Sequence, residues 1–216
     1  MSFVKFKLPI INIRGNAMKF LKTAAIAALL ASGAAHASTE LLTNGSFEQN
    51  LQANGTWNIY SNLTGWTGGA YGIELRNNVV GNAPDGVNFV ELDTTANSSM
   101  FQNVSTVMGQ NYTLTFKFQD RPGVATSSQG LEISWGGSVV GTVNNSLGGG
   151  WQTVSYNLIG NGATEALSFK AIGTSDSLGT SLDKVSLTTA VPEPETYAML
   201  LAGLGLVGFA ARRRKQ

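Results

Sequence analysis

The chain has 216 residues, 43% of them hydrophobic and 12% charged, with 26 glycines, no cysteine and a formal charge of +1. Its single histidine, His36, sits in the N-terminal segment, so residues 38–190 contain neither Cys nor His. That composition excludes disulfide bracing, thiolate or Ser-His-Asp catalysis and ordinary zinc sites in the body of the protein.

In chain order, Lys19 and Lys22 precede an apolar run over residues 24–31, and Ala35-His36-Ala37 follows. A basic region, a short apolar core and an A-x-A site predict a secretory signal peptide over residues 1–37, recognised by signal peptidase through Ala35 and Ala37 and cut once, after Ala37, to start the mature chain at Ser38. The stretch before Met18 fits such a leader poorly, and Met18 reads as the initiator.

Residues 38–190 are long enough for one domain with a single core. They carry five basic residues, Arg76, Lys117, Arg121, Lys170 and Lys184, against eleven acidic ones, for a net charge of −6. A net-negative body without a basic stripe argues against nucleic acid, and against an anionic polysaccharide held by simple electrostatics. Its apolar residues alternate with polar ones over short runs. Tyr112, Leu114, Phe116 and Phe118 share one phase, as do Leu131, Ile133 and Trp135; Val154, Tyr156 and Leu158; and Leu167, Phe169 and Ala171. Turn formers separate the runs, among them Pro122-Gly123, Gly136-Gly137 and Asn161-Gly162. Helical spacing is absent from this region. The expectation is an all-β fold, an antiparallel two-sheet β-sandwich of jelly-roll type.

The opening Leu41-Leu42-Thr43-Asn44-Gly45-Ser46-Phe47-Glu48 is followed by Gly65-Trp66, by Pro84-Asp85-Gly86 running into Phe89-Val90-Glu91-Leu92-Asp93, by Arg121-Pro122-Gly123, and by a closing Leu182-Asp183-Lys184-Val185-Ser186-Leu187. In this order they resemble carbohydrate-binding modules and related galactose-binding-like jelly rolls, including a secreted cell-wall family of unknown molecular function. The resemblance implies a structural calcium tying the first strand to the last through Glu48 and Asp183. Independently, Asp183 is in phase with Val185 and Leu187, which points its carboxylate inward, and a buried charge requires a partner. Calcium would supply one through hard oxygen ligands; a hydrogen-bonded or arginine-paired aspartate is the simpler alternative.

Flat aromatic rings stack on sugar C–H faces, so Trp57, Trp66, Tyr71, Trp135 and Trp151 are the candidates for a sugar-binding surface. Trp135 falls on the buried phase. Trp66 and Tyr71 sit in the glycine-rich stretch 65–72 beside Glu74 and Arg76, and this group is the expected ligand site. Arg121 leaves the strongest strand at a turn, where it either grips a ligand or pairs with Asp120, Glu132 or another acid.

The C-terminus orders three unlike segments: Val191-Pro192-Glu193-Pro194-Glu195, an uncharged stretch over residues 197–211, and Arg212-Arg213-Arg214-Lys215. Prolines keep the first extended. The second makes a helix of roughly 22 Å, short of a hydrocarbon core of about 30 Å, and the basic cluster stays cytoplasmic. The order resembles the PEP-CTERM sorting signal of Gram-negative bacteria, over residues 191–216. It implies transient inner-membrane insertion, processing by an exosortase near Pro192, Glu193 and Pro194, and delivery to the periplasm, outer surface or exopolysaccharide matrix of a biofilm.

The expected function is therefore non-catalytic carbohydrate or exopolysaccharide binding by an exported protein. A structural matrix or adhesion protein is the alternative. A glycosidase-type carboxylate pair drawn from Glu74, Glu91 and Asp93 is less favoured, because nothing in the sequence sets its separation.

Overall fold

In the computed structural model, residues 38–144, 149–189, 200–205 and 212 are described. The processing residues Ala35, Ala37, Pro192, Glu193 and Pro194 lie outside them. Residues 200–205 are helical, and among the described residues no helix is long and apolar enough to cross a membrane.

Ser38–Ala190 forms a compact unit of twelve strands: β1 Thr56–Tyr60, β2 Asn62–Leu63, β3 Trp66–Gly68, β4 Ile73–Asn77, β5 Asn88–Glu91, β6 Ser99–Ser105, β7 Asn111–Gln119, β8 Leu131–Trp135, β9 Ser138–Val143, β10 Gln152–Ile159, β11 Thr164–Ala171 and β12 Ser181–Thr189. A single turn of 3-10 helix, Thr126–Ser128, is the only other regular element described in this unit. Sheet A has the order β1-β4-β5-β12-β7-β10 and sheet B the order β2-β3-β6-β11-β8-β9. Every neighbouring pair is antiparallel. This is the jelly-roll sandwich that the alternation predicts.

The core lies between the sheets and is built by the strand period of two. On β7, Tyr112, Leu114, Phe116 and Phe118 are buried while Thr113, Thr115 and Lys117 turn outward. Across the core, Phe116 meets Phe169 of sheet B edge-on at 5.2 Å between centroids, the geometry an aromatic quadrupole favours. Trp135 is buried, as its phase predicts.

The opening segment departs from expectation. Apart from one bridge between Glu40 and Thr188, residues 41–48 are not a strand but a run of turns, because Asn44 and Phe47 adopt left-handed backbone angles, φ 57° and 61°. The segment still fastens to the last strand. Leu41 N donates to Leu187 O at 2.9 Å and Val185 N to Gly45 O at 2.9 Å. The Glu40 carboxylate accepts from Leu187 N and Ser186 Oγ. A Cβ on Gly45 would fall 1.8 Å from the Val185 carbonyl oxygen, so only glycine permits this approach.

Candidate functional site

Pairing partners in a sheet point to the same face, and the register assembles the site on the outer face of sheet A. Trp57 is opposite Arg76 and Ile59 opposite Glu74; Glu74 is opposite Glu91, and Glu91 opposite Ser181. Strand β4 is buried along its whole length, so its polar face is covered as well as its apolar one. The segments that follow β4, β5 and β7 and precede β12 contribute to a cavity of about 220 Å³, lined by Trp57, Ile59, Glu74, Arg76, Val80, Thr94, Thr95, Arg121 and Ser177.

Arg76 is the centre of this arrangement. Its guanidinium is 1% exposed and lies between two carboxylates, with Nε 2.6 Å from Glu74 Oε1 and Nη2 2.5 Å from Glu91 Oε2. Nη1 is buried without a hydrogen-bond partner among the described residues, which leaves one donor for an acceptor entering the cavity. Arg121 reaches the same Glu91 oxygen at 3.7 Å and donates from Nη1 to Ser177 O at 3.1 Å. Burial pushes the Glu91 carboxyl up to about 7, against the lowering pull of Arg76 and the Gly179 N–H, with Glu74 adding to the rise.

The wall containing Ser177 is held from below by carboxylates. Glu91 Oε1 accepts from Gly179 N at 2.7 Å, and Asp93 Oδ2 accepts from Asp176 N and Leu178 N. Glu74, Glu91 and Asp93 are thus each engaged in an ion pair or in loop anchoring, and Glu91 and Asp93 do not line the cavity. Among the described residues that line the cavity, Glu74 is the one carboxylate.

Three of the expected ligand residues, Glu74, Arg76 and Arg121, are brought together here. Trp66 is a correction. It is 2% exposed, donates from Nε1 to Asn44 O and packs against Phe47 and Phe169. Its position at the start of β3, not in a loop, turns it into the core. Tyr71 is exposed and touches the site only through its backbone, where its carbonyl accepts from Thr94 Oγ1 at 2.7 Å. The aromatic at the cavity is Trp57, 54% exposed, with Ile59 and Val80 beside it. The alternation of Thr56–Tyr60 already puts Trp57 and Ile59 on one side; what it lacks is any sign that Arg76 lies opposite.

Glu48 and Asp183 also meet near one another. Asp183 is fully buried, but not by the phase argument. Its register partner is Lys117, on the polar side of β7, and the pairing shifts between Asp183 and Ser186, so Asp183 and Leu187 belong to opposite faces. The segment 85–88 covers it. Asp85 N donates to Asp183 Oδ2, Lys184 N to Oδ1, and Glu48 Oε1 accepts from Val87 N and Asn88 N. Burial pushes the Asp183 carboxyl up to about 8; the two N–H bonds oppose the rise, and the Asp85 and Glu48 charges add to it. A buried acid next to two others, with no cation paired to it among the described residues, has the chemistry of a hard-cation ligand. Among the described residues no three acidic side chains converge as a full ligand set, so backbone carbonyls or water would complete a coordination shell.

The fold and site define a sandwich with a charged, aromatic-rimmed cavity on one sheet, and comparison with known proteins agrees on the architecture. Residues 190–215 match the PEP-CTERM protein-sorting motif, so the chain carries the sorting signal of an exported protein. The chain aligns with the multifunctional-autoprocessing repeats-in-toxin of Vibrio cholerae, 29% identical over 150 residues, and with that of Vibrio vulnificus, 30% identical over 146. These alignments take in 69% and 67% of this chain but only 3% of either toxin. Among solved structures, the Stig cyclase Fisc from Fischerella sp. TAU superposes with a TM-score of 0.55 at 16% identity, covering 73% of this chain and all of the cyclase. TmCBM61 in complex with beta-1,4-galactotriose gives 0.49 at 18% identity, covering 71% of this chain and all of the module.

Proposed function

We propose that the exported domain binds carbohydrate without catalysis, in the cavity between Trp57, Arg76 and Arg121. The observation that carries this reading is the pairing of a half-exposed indole with a buried guanidinium that keeps one donor unpartnered. The indole offers a flat apolar face to pyranose C–H groups. Arg76 Nη1, Arg121 and the hydroxyls of Thr94, Thr95 and Ser177 supply polar contacts that fix orientation. A glycan array read with the purified protein tests it: hits that disappear in Trp57→Ala and Arg121→Ala, with an unchanged melting midpoint, support the site. Silence across the array favours a structural matrix or adhesion role.

The same reading assigns the tail to exosortase processing around Pro192, Glu193 and Pro194 and delivery to an exopolysaccharide-rich surface. Mass spectrometry of the protein recovered from cells tests this, since retention of residues 197–216 in the surface fraction contradicts it. Calcium is proposed at Glu48 and Asp183, where it would neutralise the buried carboxylate and tie the opening segment to β12.

A further inference from the structure

We propose a second binding site on the same outer face, distinct from the cavity and independent of it: a basin over β12, β7 and β10 that takes carboxylate-bearing polysaccharide. The basin has a volume of about 410 Å³ and is lined by Thr115, Phe116, Lys117, Thr153, Lys184 and Ser186. Register places Lys117 opposite Thr153 and Thr115 opposite Ser155, while Thr115 also faces Ser186. Its exposed lining is mostly apolar, from Phe116 and aliphatic side-chain stems, and it carries the hydroxyls of Thr115, Thr153 and Ser186 together with two ammonium groups.

Charge selects the occupant. Every ion pair among the described residues uses an arginine, so neither lysine is neutralised by a side-chain carboxylate. No acid lines the basin, although acids outnumber bases in the body as a whole. Asp183, the cross-strand partner of Lys117, is fully buried and accepts from backbone N–H groups.

Lys184 adds a structural argument. Strict alternation would give it the phase of Leu182, which is buried. Instead it sits at the shift in pairing with β7, in a left-handed conformation at φ 52° that a residue with a Cβ seldom adopts. Its side chain is exposed. The irregularity brings to the open face a second ammonium that regular pairing would bury.

Two cations suit a chain with spaced charges. The net-negative body opposes any polyanion, and most strongly a polyphosphate, whose dense charge needs many cationic contacts. A polyuronate needs one or two ion contacts, and its free ring hydroxyls match the Thr and Ser lining. The electrostatic part of the attraction is screened within about 10 Å at 0.1 M salt.

The test is affinity electrophoresis of the full chain in gels containing polygalacturonate or neutral dextran. Retardation by polygalacturonate alone is expected, weakening roughly tenfold between low and moderate salt. It should vanish in Lys117→Gln/Lys184→Gln, survive in Lys117→Arg/Lys184→Arg and survive in Trp57→Ala, with the melting midpoint of each variant establishing that it is folded. Equal retardation of Trp57→Ala by dextran and polygalacturonate, retention in the glutamine variant, or no retardation of the wild-type chain by polygalacturonate each overturns the proposal. Loss of cavity binding alone leaves polygalacturonate retardation intact, so the two sites fail separately.

Discussion

The outer face of sheet A has two halves that handle charge in opposite ways. Over β1, β4 and β5 the charges are buried and paired, with Arg76 between Glu74 and Glu91 and only its Nη1 left without a partner among the described residues. Over β12, β7 and β10, Lys184 is exposed and Lys117 half-buried, and neither pairs with a side-chain carboxylate among the described residues. A buried ion pair is a constraint on structure, because removing one member strands the other; an exposed lysine is nearly free to change. The first half thus uses its charges to hold the shape of the cavity, and the second leaves them available for contact.

The largest expected effect comes from breaking the buried half. Arg76→Met leaves Glu74 and Glu91 without their shared cation and lowers unfolding free energy by about 3–5 kcal/mol, measured by urea denaturation; Lys117→Gln changes it by less than about 0.5 kcal/mol. Equal effects would erase the contrast. Next is pH. Glu91 and Asp183 hold their protons up to about 7 and about 8 in the native state, while the unfolded chain releases them near ordinary carboxylate values. The native state binds more protons in that window, so stability falls as pH rises from about 4.5 to 8. In chelator the melting midpoint should drop by several degrees between pH 5 and pH 8, read by circular dichroism.

Calcium addresses the same carboxylate with a smaller effect. It binds the ionised form, so added calcium should raise the melting midpoint more at pH 8 than at pH 5; a flat response at both removes the metal from Glu48 and Asp183. Trp57→Ala at the rim should weaken glycan binding roughly tenfold or more yet shift stability by less than about 1 kcal/mol, as calorimetry and denaturation can show together. A small change of opposite sign is expected for Lys184→Gly, which relieves the left-handed backbone and stabilises the domain by about 0.5–1 kcal/mol.

The strands of the core were legible because half-buried strands show their period directly: β7, β8, β10 and β11 each carry it. Strand β4 hid its role, since Glu74 and Arg76 are polar by sequence and buried by a second layer of loops, and alternation reports only the first layer. Trp66 misled for a related reason, as glycines on its C-terminal side suggested a loop where a three-residue strand begins. Asp183 was correctly placed as buried through an incorrect phase, because a shift in register leaves no mark in composition. The cavity itself joins residues up to 120 positions apart, a proximity set by strand order that no local pattern encodes.

The position of β12 has a consequence for how the chain is made. It is the last strand in sequence yet sits inside sheet A, between β5 and β7, and its partners include Glu40 at the other end of the domain. Until residues 181–189 have been synthesised, the sheet exists as two unjoined pieces, β1-β4-β5 and β7-β10. Closure waits on contacts of long sequence separation, which form slowly. For a protein bearing an export signal, this timing keeps the emerging chain open during synthesis and defers the folded state until nearly all of the body is available.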